Sequence, residues 1–359
     1  MTTSPDELRK QIRAELPADT FERQPQRALW FVPLAATAIG SIATIVVVRP
    51  AWYVALVLGV LAGQCFAAMG FLAHEVLHGS IVASPRLQTF LGYLGFAPML
   101  VSPTLWRTWH NQVHHGKTNM GNADPDGFGT LGRYEKAPST RVVARLAPGS
   151  RHWASWFFFA YWFTFHGQIV LWIQSRYLRS FARLDRRRAV IDSVLSLAVW
   201  VTVAVLAGPF LAIFAVVVPI VVTNALVMTY IATNHFMRPL TTEVNDPLEN
   251  SMSVTTLRIV DRMHFNFSHH VEHHLFPKMS AKHAPRVRAW LREHEAQRYV
   301  SPAHWKAVAY LYRTPRVYLD STTLVDPDRP GDTGMDTTEI AVLLTGRELA
   351  QSGSRSSAA

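Results

Sequence analysis

Nine histidines fall into a pattern that hydrophobic packing gives no reason for: His74 and His78; His110, His114 and His115; His235; and His270, His273 and His274. Eight of them form HEVLH, HNQVHH and HVEHH, and each cluster follows a long apolar stretch. His74 and His78 stand at i and i+4, as do His110 and His114. On a helix both rings of such a pair leave one face and can reach one metal ion or two adjacent ones. A single tetrahedral zinc takes four ligands, whereas eight or nine neutral imidazoles suit two metals of higher coordination number, for which iron is the natural candidate. The paired Glu-x-x-His motifs of carboxylate di-iron bundles are missing, so nitrogen has to carry the site. His152, His166, His264, His269, His283, His294 and His304 read instead as interfacial, capping or surface residues. HEVLH also satisfies HExxH, in which two histidines hold zinc and the glutamate activates water. A zinc membrane protease of that kind would leave six histidines without a task.

The elements that position these residues are legible in composition. With 49% hydrophobic and 17% charged residues in 359 positions, the chain reads as an all-α integral membrane protein with a cytosolic helical cap carrying the histidine clusters. Residues 29–48, 51–73, 190–207 and 209–232 are the expected transmembrane helices, four spans in two hairpins that turn at Arg49-Pro50 and Gly208-Pro209. Residues 87–103 and 153–174 are apolar too. If one alone of them crossed, the clusters would lie on opposite sides of the membrane, so both are expected to be re-entrant or interfacial. Apart from Arg49, the hairpin turns carry no Lys or Arg, which places both termini and every cluster on the cytoplasmic side. Residues 1–27 form a cytosolic N-terminal segment, 28–319 the membrane domain, and 320–359, rich in Asp, Gly, Pro, Thr and Ser, a flexible tail.

The net charge of +10 collects beside membrane segments, which suits anionic headgroups and acidic redox partners rather than nucleic acid. Cys65 is the only cysteine, so internal disulfides and thiolate iron–sulfur clusters are excluded and electrons must come from another protein. The N-terminus is too polar for a cleavable signal peptide. NADPDG (122–127) reads as a turn without metal. Asp192 and Asn224 are the few polar groups within the spans, too few for a transport path.

HEVLH, HNQVHH and HVEHHLFP, separated by two apolar hairpins, resemble the membrane fatty acid desaturase family with its hydroxylase and ketolase relatives, over roughly residues 28–300. The resemblance implies a non-haem di-iron centre (two Fe2+/Fe3+ ions) at the cytosolic face of a bacterial-type plasma membrane, with O2 as co-substrate. The implied reaction removes two hydrogens from a fatty acyl chain carried as lipid or thioester, with electrons from ferredoxin or from cytochrome b5 and its reductase. His74 and His78 match the first box, His110, His114 and His115 the second, and His270, His273 and His274 the third. His235, in TNHF, looks like an extra ligand preceding the third box. Glu75 and Glu272 read as partners that orient imidazole N–H groups or else as plain solvated carboxylates. The first box is HxxxH rather than the HxxxxH of stearoyl-type acyl-CoA enzymes, and the second is HxxxHH rather than HxxHH. The third begins with His where front-end desaturases place Gln, and no HPGG marks a fused cytochrome b5 domain. Acyl carrier and regioselectivity therefore stay open, and a lipid hydroxylase or carotenoid ketolase is the nearest rival.

Overall fold

Backbone amides in hydrocarbon can bond only to one another, so long runs of Val, Leu, Ile and Ala without charge fold as helices. The computed structural model describes residues 4–347 except Asn122, Thr242 and Pro330; it is mostly helical, with one three-stranded sheet. Among the described residues three helical stretches are long and apolar enough to cross a membrane: Pro25–Val48, Trp52–His78 and Arg186–His235. The third has 50 residues, about 75 Å at ~1.5 Å per residue and more than twice the hydrocarbon thickness of ~30 Å. It is broken at Gly208 (φ 77°, ψ 166°), a backbone conformation that glycine alone adopts cheaply. There the chain meets the other sharp bend, since Arg49 (φ 52°) donates from Nη2 to the Ala207 carbonyl at 2.9 Å. Outward-facing Val32, Ile39, Val57, Leu195, Val199 and Val205 are exposed, as a lipid-facing surface requires.

The histidine-bearing ends extend further than the apolar runs. Trp52–His78 continues five residues past the expected end at Ala73, and the last helix, Val218–His235, continues past 232. Polar side chains there are buried by the cap rather than released to water, so the helix need not stop at the hydrocarbon boundary. These two helices run parallel. Gly59 packs against the Phe214 carbonyl and Val218, Gly63 against Val222 and the Pro219 carbonyl, and Phe71 against Tyr230 edge-on at 5.7 Å. Thr223 Oγ1 donates to the Gly63 carbonyl at 3.0 Å. The pair Gly59 and Gly63 is a small-xxx-small face that lets the backbones approach. Extended along both helices, this register sets His235 level with Val76, between His74 and His78.

Neither shorter apolar segment is among the three candidate spans. Pro85–Phe96 has 12 residues and packs on the helix Trp52–His78, Gly95 lying against Ala73 and the Met69 carbonyl. Phe158–Ile169 lies along the last helix, where Asn224 bonds Thr164 through both backbone (3.0 Å) and hydroxyl (3.1 Å). Asp192 is likewise satisfied, by Ser102 at 2.7 Å and Arg188 at 3.0 Å. The expectation of a flexible tail from Asp320 needs correction. Strands β1 (Val317–Tyr318), β2 (Thr323–Val325) and β3 (Met335–Asp336) form an antiparallel sheet followed by the helix Thr337–Thr345. Leu324, Ile340, Ala341 and Leu344 are buried in the main core; the polar turns between these short apolar runs hid them in the composition. Residues 348–359 lie outside the described part of the chain. At the other terminus, Leu8 and Ile12 of the helix Pro5–Glu15 bury against Val271 and Leu275 beside the third box.

Candidate metal centre

All nine histidines converge. Ring nitrogens of His74, His78, His110, His115 and His273 form one group, and those of His114, His235, His270 and His274 a second, the atoms of each lying within 4.8 Å of one another. Within the first, Nε2 of His74 is 2.9 Å from that of His110, which is 3.2 Å from His115, itself 3.0 Å from His273. Within the second, His270 Nε2 is 2.6 Å from His235 and 3.0 Å from His274. The groups adjoin, with the His115 and His274 rings stacked at 4.3 Å. Nitrogens held about 2.1 Å from a common metal stand about 3 to 4.2 Å apart, so the spacing suits a shared cation. Nε2 of His78 is buried with no hydrogen-bond partner, which a cation would satisfy. None of the seven histidines set aside by the sequence reading joins either group.

The chain supports these rings from behind. Asp124 lies 3.1 and 3.2 Å from His114 Nδ1 through its two oxygens, and Asp126 lies 3.3 Å from the same atom. Asp126 also accepts from Trp109 Nε1 at 2.8 Å and meets His166 Nε2 at 3.1 Å. The turn read from NADPDG is thus more than a turn, although its Asn122 lies outside the described residues. Its carboxylates orient a box histidine, and Asp126 comes within 4.8 Å of ring nitrogens of His110 and His114. The Asn250 carbonyl lies 3.4 Å from His235 Nδ1, and Thr118 Oγ1 3.4 Å from His274 Nδ1.

Glu75 and Glu272 do other work than the sequence reading assigned. Glu75 is one residue past His74, about 100° round the helix, and so points away from the rings. It pairs with Arg27 and accepts from Ser280 Oγ at 3.0 Å and the Ala281 amide at 2.9 Å. With both oxygens bound there, HExxH has no carboxylate to activate water. Glu272 pairs with Arg288 at 3.0 Å and accepts from Ser253 and Tyr299, while Ser253 Oγ receives the amides of His270 and Val271 at 3.0 Å each. Both glutamates tie the cap together at the roots of the boxes.

Burial, then repulsion between neighbouring rings, pushes His110, His115, His270 and His274 well below the usual imidazole range, and burial takes His273 down to about 3. These rings are neutral at pH 7, the form that ligates metal. His114 is different. Burial works to lower it, but the charge and hydrogen bond of Asp124, with Asp126 behind, raise it to about 9. Carboxylates that favour a proton there favour a cation as well.

A mostly apolar cavity of about 530 Å³ opens onto both groups. His74, His110, His114, His235 and His270 form part of its wall, which continues past Trp109 and Phe163 to Ile173 and Tyr177. Paired nitrogen-rich groups at the wall of an apolar cavity, between membrane-length helices and a polar cap, define a membrane-associated helical metalloprotein.

The sequence profile described as fatty acid desaturase matches residues 50–306, and the chain belongs to that family. It is 31% identical over 130 residues to a probable fatty acid desaturase DES1 of Sorghum bicolor, covering 35% of this chain and 33% of the relative. It is 29% identical over 117 residues to an sn-1 acyl-lipid omega-3 desaturase (ferredoxin) of Synechocystis sp., covering 33% and 32%. To an acyl-lipid omega-3 desaturase (cytochrome b5) of the Arabidopsis thaliana endoplasmic reticulum it is 26% identical over 143 residues, covering 38% and 36%. The matches span about a third of the length of these curated relatives.

Proposed function

We propose that the chain is an O2-dependent fatty acyl desaturase whose nine histidines hold two iron ions. The observation that carries this reading is the gathering of His74, His78, His110, His115 and His273, and of His114, His235, His270 and His274, at the wall of one apolar cavity. Iron bound there would supply the oxidising power of O2: two hydrogens leave adjacent methylenes, two electrons and two protons arrive from outside, and two waters form. The residues' part is placement. Phe71, Phe163 and Trp109 line the cavity and exclude water, while Trp106 and Phe267 pack against the His74 ring at 5.1 Å. A chain held so has few positions at which its methylenes meet the centre.

The rest of the reading follows. The bends at Arg49 and Gly208 lie together at the end of the helices away from the histidines, which supports four crossings in two hairpins, with the centre and both termini in the cytoplasm. One relative's name specifies ferredoxin and another's cytochrome b5, so an external one-electron carrier is expected to serve here as well. The relatives' names include both omega-3 positions and an oleoyl-lipid 12-desaturase, so names leave open the end from which the bond is counted. The test is lipid analysis of an expressing host supplied with an electron carrier, together with metal analysis of the purified protein. New unsaturated acyl chains and about two irons per chain are expected. A single zinc, or unchanged lipids despite a functional carrier, would overturn the proposal.

A further inference from the structure

One buried polar pair takes no part in the histidine groups. The Tyr230 hydroxyl lies 2.9 Å from Nδ1 of His264, and each residue is more than nine-tenths buried. Nε2 of His264 faces Gln64 Oε1 at 3.5 Å, which places the ring hydrogen on Nε2 and leaves Nδ1 to accept from the phenol. Burial, then repulsion from His304, lowers His264 to about 4, so the ring is neutral at pH 7 and free to take a proton. Asp261, held by Ser268 Oγ at 2.6 Å and Thr256 Oγ1 at 2.8 Å, favours the charged ring once that proton has arrived. His304 stacks on the Tyr230 ring at 4.4 Å with the planes 12° apart, and its buried Nε2 has no hydrogen-bond partner among the described residues.

The interval between this pair and the histidine groups is aromatic. Tyr230 lies edge-on to Phe71 at 5.7 Å and to Phe267 at 5.8 Å, and those two rings stack at 4.4 Å. Phe267 in turn lies 5.1 Å from the His74 ring and 6.5 Å from that of His270, so a single ring separates the phenol from a member of each group. Among the described residues no side-chain hydrogen bond joins Tyr230 or His264 to a histidine of either group. Packed rings pass electrons but not protons. An electron can therefore leave Tyr230 through Phe267, while its proton has only His264 to go to. Phe71 and Phe267 line the cavity whereas Tyr230 and His264 do not, which keeps the pair clear of a bound acyl chain.

We propose that Tyr230 and His264 form a redox relay that protects the histidine groups when O2 oxidises the iron and no acyl chain occupies the cavity. With no methylene to oxidise, the rings nearest the iron would themselves be oxidised. In the relay Tyr230 gives one electron to the oxidised iron through Phe267 and its phenolic proton to His264 Nδ1. A neutral tyrosyl radical and an imidazolium remain, and the iron is reduced by one electron. One electron from the external carrier and return of the proton from Nδ1 then restore both side chains. Transfer of the proton in place is what allows the electron to go, since a buried phenol radical cation has no water to hydrate it.

The relay rests on the desaturase reading, and its test keeps the two apart. Iron-loaded protein purified in detergent is reduced, exposed to O2 without acyl substrate, frozen, and read by electron paramagnetic resonance. A tyrosyl radical is expected, with a hyperfine pattern that narrows when the protein is made with ring-deuterated tyrosine. At equal iron content the signal should be lost in Tyr230→Phe. It should be lost as well in His264→Asn, which offers an oxygen to the Tyr230 hydroxyl but cannot take its proton; a role limited to packing or hydrogen bonding would leave the radical in that variant. No radical in the wild type, a signal unmoved by deuterated tyrosine, or a tyrosyl signal that survives either substitution overturns the relay. If the same wild-type preparation makes unsaturated acyl chains with its electron carrier, the desaturase reading stands in all these cases, whereas no bound iron and no unsaturated product remove both. Peptide mass spectrometry gives a second measurement. Kept under O2 without substrate, Tyr230→Phe should accumulate oxidised histidine, and oxidised Trp106 stacked on His110, faster than the wild type; equal damage in both would also overturn the relay.

Discussion

Replacing Asp124 by Asn keeps the size of the side chain and removes the charge behind His114. The carboxylate faces a fully buried ring at 3.1 and 3.2 Å, so water cannot replace it. Losing such a partner behind a metal-binding imidazole typically weakens metal affinity ten- to a hundredfold, about 1.4 to 2.8 kcal/mol. A second cost adds to it. One Asp124 oxygen accepts the Asn119 amide at 2.8 Å and the other the Asp126 amide at 3.0 Å, and an asparagine can accept only one of them. Leaving a buried amide facing an NH2 group costs about 1 to 3 kcal/mol. The disturbance reaches the second histidine group, because Asn119 Nδ2 donates to the carbonyls of His235 at 3.2 Å and Asn250 at 3.0 Å. The assay is a chelator titration of purified protein in detergent, with metal content as readout and circular dichroism as the check on folding. Asp124→Asn is expected to lose metal at chelator concentrations at least about tenfold lower than the wild type does. A midpoint unchanged in Asp124→Asn but lowered in Asp126→Asn would show that the wrong carboxylate was assigned.

His235→Ala is expected to lose metal and turnover as severely as His274→Ala, while His152→Ala keeps both; full metal content in purified His235→Ala would remove it from the site. Truncation after Leu319 deletes Leu324, Ile340 and Leu344 from the core, each worth about 1.5 to 3 kcal/mol of burial, and should lower the melting temperature in detergent. An unchanged melt would restore the flexible-tail reading. Gly63→Leu should cost about 1 to 3 kcal/mol by overpacking and reduce metal content, because a Cβ there falls 2.8 Å from the Pro219 carbonyl. Gly40→Leu, with nothing within 4 Å, is the control, and equal metal loss in both would refute the packing argument.

The histidine clusters were legible because spacing along a helix fixes which rings share a face, and no other part of the chain has to be known. The apolar helices were legible for the same reason: hydrocarbon dictates their length and composition. What escaped were relations made across the fold. Asp124 and Asp126 sit in a sequence rich in turn formers, where Asp ordinarily bonds its own backbone, and nothing local says that the turn folds back beneath His114. Glu75 and Glu272 were misread because a residue next to a histidine in sequence is turned about 100° away from it around a helix. The spacing of Gly59 and Gly63 was present in the sequence, but its meaning depends on which helix lies opposite.

The two histidine groups are built alike in a way that bears on stability. His74, His78 and His235 stand on the long apolar helices, whose relative height is fixed by the glycine contacts at 59 and 63. The other six come from segments 107–115 and 270–274 of the cap. Each group contains members of both kinds, so a metal bound in either one ties the cap to the membrane helices. At those junctions the rings face one another through nitrogens, and Nε2 of His78 has no hydrogen-bond partner. A cation bound in either group would therefore add free energy at the seam between the cap and the membrane helices. The cavity runs along that seam, bounded by Gly70 and Met228 on the helices and by His114 and His270 on the cap. An ion bound in either group would thus also hold the walls of this cavity together.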